Sequence, residues 1–260
     1  MTVPKIHLPR ILEKGRQYDL EKEHLRYLKS VLRLKRDSGL ILFDKTGAAC
    51  DAVIRKLDSE GIRVEITGRR HVPADVIDIT LCQSLPKSNK MDEIVQKTTE
   101  LGVRRIVPFQ SFRSVPRFDT KGGQAKVARW RKIAQEASRQ SGRPDIPEVL
   151  DILTLEDALG TSKEEDFRMI FWEEETKRVI RHVLRDLCVP QTTGFSIVVG
   201  PEGGFTDDEV ESAVAAGYVS TTLGERILKV ETASVVILAV LQYEWGIFSR
   251  NPAQDENHAR

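Results

Sequence analysis

A chain of 260 residues, 40% hydrophobic and 30% charged, is long enough for one large or two modest domains with a real core and has ordinary globular composition. The longest apolar run, Val235 to Leu241, is too short to span a bilayer, no basic-then-apolar leader opens the chain, and Cys50, Cys82 and Cys188 fall in no metal-ligand spacing; a membrane protein, an exported protein and a metal site are therefore not expected, and a reducing, cytoplasmic setting is. The net charge of +1 is unevenly placed, with +6 over residues 1–72 (16 Lys+Arg, 10 Asp+Glu) and −5 over residues 73–260 (24 and 29), so a polyanion partner, if there is one, would meet the amino-terminal part.

In chain order, "EKEHLRYLKSVLRLKRDSG" places Leu25, Leu28, Val31 and Leu32 at helical spacing among Arg26, Lys29, Arg33, Lys35 and Arg36, which predicts a short helix with a basic flank. From Leu40 to Ile66 the runs "LILFDKTG", "CDAVIRKL" and "IRVEITG", broken at Gly47 and Gly61, predict antiparallel strands of a small barrel or sheet. Arg69 to Asp75 reads as a linker, giving domains at 1–72 and 73–249 and a polar tail at 250–260. The second domain alternates: strand "VIDITLCQSL", helix "MDEIVQKTTELG", strand "RRIVPF", helix "QAKVARWRKIAQEASRQSG", strand "FRMIFW", helix "TKRVIRHVLRDL", strand "FSIVVG", a further helix, strand "STTLG" and helix "TASVVILAVLQYEW". Such alternation predicts an α/β fold with a largely parallel sheet covered on both faces, and a ligand site where the loops gather at the strand ends.

The stretch "VVGPEGGFTDDEV", Val198 to Val210, joins a strand to a helix through Gly200, Gly203 and Gly204. A glycine-rich loop there first suggests a phosphate cradle, but no lysine and metal-binding hydroxyl follow Gly204. Instead Thr206 and Glu209 form a capping box around Asp207 and Asp208. With Glu202, four carboxylates surround the helix start, so a neutral or cationic guest is expected; an ordinary tight turn before a well-capped helix reads equally from these residues. In "GERILKVETA", Ile227 and Leu228 follow Gly224 outside any alternation and would wall a flat apolar ligand such as adenine, or pack in the core.

The segments "KSNKMDEIVQKTTELGVRRIVPFQSFRSV", "RWRKIAQEASRQSGR", "VVGPEGGFTDDEVESAVAAGYVSTTLGERILKVETA" and "HLRYLKSVLRLKRDSG", in that family's order over most of the chain, resemble the RsmE family, uridine-N3 methyltransferases of small-subunit ribosomal RNA in the SPOUT superfamily. The resemblance implies a PUA-like β-barrel that helps hold RNA, a SPOUT α/β trefoil-knot domain, a homodimer, and S-adenosylmethionine held by the knot loops. It carries cofactor contact to Phe171, Glu173, Val199, Gly200, Pro201, Glu202, Gly203, Leu223, Gly224, Ile227 and Leu228, and to Thr232, which on its own would read as a helix cap. The substrate implied is small-subunit ribosomal RNA within a 30S particle.

N3 of uridine is a poor nucleophile while protonated, so transfer needs the proton removed or the developing anion stabilised. Arg226, beside the expected cofactor, is the candidate for that role, an ordinary salt-bridging arginine being the plainer reading. Lys87, Lys90, Lys97 and Arg113, with Arg26 and Arg33 in the first domain, match basic positions of the family and are expected at RNA phosphates. Glu136 and Gln140 lie one helical turn apart with Arg143 just beyond, and would meet RNA or a dimer partner together. Departures from the family pattern fall at Lys229 and Val230, where Arg-Thr is common, at Lys5 for an early RNA-binding arginine, and at Pro144 and Asp145. A methyltransferase acting on another RNA, and a silent RNA-binding assembly factor, are the competing readings.

Overall fold

The computed structural model describes residues 3–59, 61–70, 77–115, 120–162, 166–185, 194–246 and 248. The expected tail at 250–260 and most of the expected linker lie outside them. The chain divides into two compact units, residues 1–74 with 138–145, and residues 75–137 with 146–260.

In the first unit the strands are β1 (Lys5–His7), β2 (Gln17–Leu20), β3 (Gly39–Phe43), β4 (Ala49–Leu57) and β5 (Ile62–Arg70), ordered β1-β3-β4-β5-β2 in one sheet. The alternation seen in the sequence is the register of the β3-β4-β5 meander, whose pairs are antiparallel. Its inner side chains, with Leu40, Leu42, Ile54, Ile62, Val64 and Ile66 among them, form one core. Helix α1 (Lys22–Leu25) passes into a wider π turn, Arg26–Val31. That winding breaks the 3.6-residue register: Leu28 is fully buried, whereas Val31, expected on the same face, is 65% exposed.

The second unit carries a sheet in which every pair is parallel, ordered β12-β10-β11-β6-β7-β8 with β9 beside β7. Its elements are β6 (Asp78–Ser84), α2 (Lys90–Glu100), β7 (Arg105–Gln110), α3 (Thr120–Ser141), β8 (Glu148–Val149), β9 (Leu153–Thr154), α4 (Leu155–Leu159), β10 (Phe167–Phe171), α5 (Ile180–Arg185), β11 (Gly194–Val199), α6 (Asp207–Ala215), β12 (Val219–Thr221) and α7 (Val230–Glu244). Alternate residues of the central strands face opposite ways. Ile79, Leu81, Ile106, Met169, Phe195 and Ile197 pack with Ile94 of α2, Trp130 of α3 and Leu238 of α7. Cys82, Val107, Phe109, Ile170 and Val198 pack with Leu159 of α4 and Val210 of α6. Each large side chain so buried contributes about 1.5–3 kcal/mol, and both faces of the sheet are covered.

The helix expected from Thr176 begins only at Ile180, because Val179 is spent on a parallel bridge to Thr222. Gln83, buried at the end of β6, ties the sheet to α7: its Oε1 accepts from Ser234 Oγ at 2.6 Å, and its Nε2 donates to the Val199 carbonyl at 3.4 Å.

Candidate active site

Three loops leave the carboxyl ends of β10, β11 and β12 and enclose a cavity of about 450 Å³. They are residues 171–173, 199–204 and 221–230. A backbone contact joins the first to the third, Trp172 N–H donating to the Thr221 carbonyl at 3.0 Å, and Thr222 N–H donates to the carbonyl of Arg178, before α5, at 2.9 Å. In the second loop a Cβ on Gly200 would lie 3.0 Å from the Phe205 ring, and one on Gly203 3.1 Å from Arg113 Cβ. Gly204 has φ +68°, a left-handed conformation that favours glycine there. After the turn the capping box is present in full: Glu209 N–H donates to Thr206 Oγ1 at 3.3 Å, and Thr206 N–H donates to Glu209 Oε2 at 3.0 Å.

The acidic character expected of this loop is corrected by its partners. Glu202 accepts the Lys90 ammonium at 2.8 Å and the Lys87 backbone N–H at 3.1 Å on both oxygens. Burial pushes the Glu202 carboxyl up, but the Lys90 ammonium and the backbone N–H groups of Glu202 and Lys87 pull it below its ordinary value by more. Lys90 also lies 3.5 Å from Glu231, and its own ammonium is raised, chiefly by the hydrogen bond to Glu202. Glu209 is likewise consumed, by its cap and by the Phe112 N–H at 2.8 Å. Glu202 and Glu209 are thus answered locally, and the lining as a whole sets Lys90, Arg226 and Lys229 against Glu173, Glu202 and Glu225.

Phe171, Glu173, Val199, Gly200, Pro201, Glu202, Gly203, Leu223, Gly224, Arg226, Ile227 and Leu228 all line the cavity. Thr232 does not. It is exposed, and it caps nothing, because α7 begins at Val230 with Lys229 as its uncapped first boundary. Ile227 stands at the rim, 85% exposed, rather than as a buried wall. Arg226 is exposed and makes no hydrogen bond or ion pair among the described residues, unlike the salt-bridging arginine of the plainer reading. The lining also holds Trp172, Thr221, Thr222 and Lys90. Trp172 Nε1 and Glu231 Oε2 are buried without a hydrogen-bond partner among the described residues. Trp172 follows a strand directly, which was the available sequence signal for it; Lys90 carried none, since its partners are distant in the chain.

Several expected RNA contacts are occupied. Lys90 is the internal clamp just described, and Lys97 pairs with Glu93 one turn away. Lys5, in the first unit, donates to the Gly142 carbonyl at 3.2 Å, closing the end of α3. Arg143 is 8% exposed and grips Asp145 at 2.9 Å, while Glu136 and Gln140 are exposed. Arg113 is exposed and donates to the Gly203 carbonyl at 3.0 Å. Lys87, Arg26 and Arg33 are exposed and form no ion pair among the described residues.

A parallel sheet whose carboxyl-edge loops wall one cavity, in a chain with a separate β unit, is the construction of a SPOUT trefoil-knot RNA methyltransferase with a PUA-like domain. Residues 73–242 match the RNA methyltransferase domain family, and residues 20–67 match the RNA methyltransferase PUA domain family. The chain is similar to ribosomal RNA small subunit methyltransferase E of Bacillus subtilis, at 30% identity over 90% of this chain and 92% of that one. It is similar also to the Neisseria gonorrhoeae protein of that name, whose crystal structure is bound to S-adenosyl methionine, at 33% identity, TM-score 0.84, and 94% and 99% coverage. The structure of a putative methyltransferase from Legionella pneumophila in complex with S-adenosyl methionine matches at 28% identity, TM-score 0.83, and 95% and 100% coverage. The chain belongs to the ribosomal RNA small subunit methyltransferase E family.

Proposed function

We propose that this chain transfers a methyl group from S-adenosylmethionine to N3 of one uridine in small-subunit ribosomal RNA, acting in the cytoplasm as a homodimer on an assembled 30S particle. The observation that carries the reading is the cavity itself, placed at the sheet edge with an unpartnered arginine in its wall. Its volume suits a cofactor of that size. Leu223, Leu228, Phe171 and Val199 offer apolar walls, the loop glycines leave backbone open to a close ligand, and Trp172 Nε1 is a buried donor with no partner among the described residues. These residues fit S-adenosylmethionine, which supplies an electrophilic methyl on a sulfonium. The lining balances Lys90, Arg226 and Lys229 against Glu173, Glu202 and Glu225, so its charge accepts a sulfonium or a neutral ligand alike.

Arg226 would hold the uracil edge and stabilise the negative charge that develops as N3 reacts. In the first unit, Arg16, Arg55, Arg63 and Arg70 are paired with carboxylates, whereas Arg26 and Arg33 on the helix side form no ion pair among the described residues. Of the expected RNA contacts, these two arginines with Lys87 and Arg113 are the positions that remain for phosphates. The homodimer is supported by α7, whose apolar residues run around most of its circumference.

The test is transfer of labelled methyl from S-adenosylmethionine to small ribosomal subunits from cells lacking this protein, with the product nucleoside identified by mass. N3-methyluridine is expected, and Arg226→Ala is expected to lose at least a hundredfold in rate with cofactor affinity retained. Cofactor binding with no transfer to any RNA would instead identify a silent assembly factor.

A further inference from the structure

The turn that follows β7 presents a surface on the outer side of the Pro201–Gly203 loop. Residues Ser111–Val115 are held unusually firmly for an exposed turn. The hydroxyls of Ser84, Ser111 and Ser114 are buried and close a triangle of hydrogen bonds at 2.7, 2.8 and 2.9 Å. Phe112 N–H donates to Glu209, and Arg113 donates to the Gly203 carbonyl, so both intervening residues are anchored as well. Yet the Phe112 ring is 73% exposed. The backbone is fixed, and the ring it carries touches little of the chain that fixes it.

The charges around that ring complete the picture. Glu202 is drawn inward by Lys90, while Lys87 and Arg113, whose anchors are the adjacent Glu202 and Gly203, are exposed and without an acidic partner among the described residues. An exposed aromatic ring on an anchored turn, with the Arg113 cation next to it in the chain and Arg113 and Lys87 both bonded to the cavity loop at Gly203 and Glu202, has the chemistry that stacks an unpaired nucleobase and holds its phosphates. From this we infer that Phe112 is a base-stacking platform for the RNA substrate, seating a nucleotide beside the one that enters the cavity. The inference rests on the RNA methyl-transfer reading. Phe112 is then a positioning residue: it orders the RNA and takes no part at the reacting atoms.

The experiment is methyl transfer by the full chain with small subunits as the titrated substrate, for wild type, Phe112→Ala, Phe112→Leu and Phe112→Trp. S-adenosylmethionine affinity is measured by calorimetry, and molecular mass by sedimentation. The alanine and leucine variants are expected to raise KM for the subunit by roughly five- to a hundredfold, the range for losing one stacked base. Tryptophan should restore it, with cofactor affinity and mass unchanged in all. Leucine performing as well as phenylalanine, or alanine leaving KM unmoved, overturns the inference. A halved mass in the alanine variant overturns it too, by assigning the ring to a subunit contact. Wild type that binds cofactor but methylates no RNA removes the reading beneath the inference, a result separable from any of these.

Discussion

At the scale of a residue, Lys90 is the side chain on which the cavity most depends. Its ammonium joins Glu202 in one cavity loop to Glu231 at the start of α7, and with the lysine gone two half-buried carboxylates would face each other unneutralised. Lys90→Met is therefore expected to weaken S-adenosylmethionine binding roughly tenfold, the equivalent of about 1.4 kcal/mol for a lost charged hydrogen bond, as read by calorimetry. Its pH dependence has a definite sign. Glu202 titrates below its ordinary 4.5, so its contribution is fully present above 4.5 and is lost as pH falls through the lower folded value. Lys90 titrates above its ordinary 10.5, so its contribution is present below 10.5 and is lost as pH rises through the higher folded value. The clamp thus holds between about 4.5 and 10.5. Acidification below 4.5 should lower the wild-type unfolding temperature by more than that of Lys90→Met. Parallel decline of both proteins would show that other carboxylates dominate.

At the scale of an element, α6 shows what a local signal can specify. Its capping box satisfies backbone donors with residues three apart, so nothing distant was needed to read it. Thr206→Ala should cost about 1 kcal/mol in denaturant unfolding and leave methyl transfer unchanged. Glu209→Ala should cost more and also raise KM for the RNA, because it releases the Phe112 N–H as well as the cap. Equal effects of the two substitutions would mean that the Phe112 turn needs no such anchor. The same locality explains what the sequence left hidden. The alternation of β3 to β5 and the glycines of the cavity loops were legible, since each is a property of neighbouring residues. The π turn that exposes Val31, the trimming of α5 by the Val179 bridge to Thr222, and the capture of Lys90 by Glu202 were not, since each is decided by a partner remote in the chain. Thr232 was misplaced for the related reason that α7 starts two residues earlier than its best capping side chain.

At the scale of the whole molecule, α7 poses the question of assembly. One side of it is fully used: Ile237, Leu238, Leu241 and Gln242 are buried, Ser234 bonds to Gln83, and Trp245 just beyond stacks on Phe195 at 5.4 Å. Val236, Ala239 and Tyr243 recur at three- and four-residue spacing on another side, the first two half-exposed and Tyr243 69% exposed. A stripe of that period on a helix already packed along its opposite side is the pattern of a surface awaiting a second helix. Val230 and Ala233, six and three residues before Val236 where the stripe begins, line the cavity, so a subunit seated there would stiffen that wall. Wild type is accordingly expected to sediment at twice the mass of one chain and to unfold at a temperature that rises with protein concentration. Val236→Glu with Tyr243→Glu should sediment as a single chain, lose that concentration dependence, and bind S-adenosylmethionine more weakly. A wild-type protein that is monomeric and fully active at nanomolar concentration would refute the dimer and leave the stripe to some other partner.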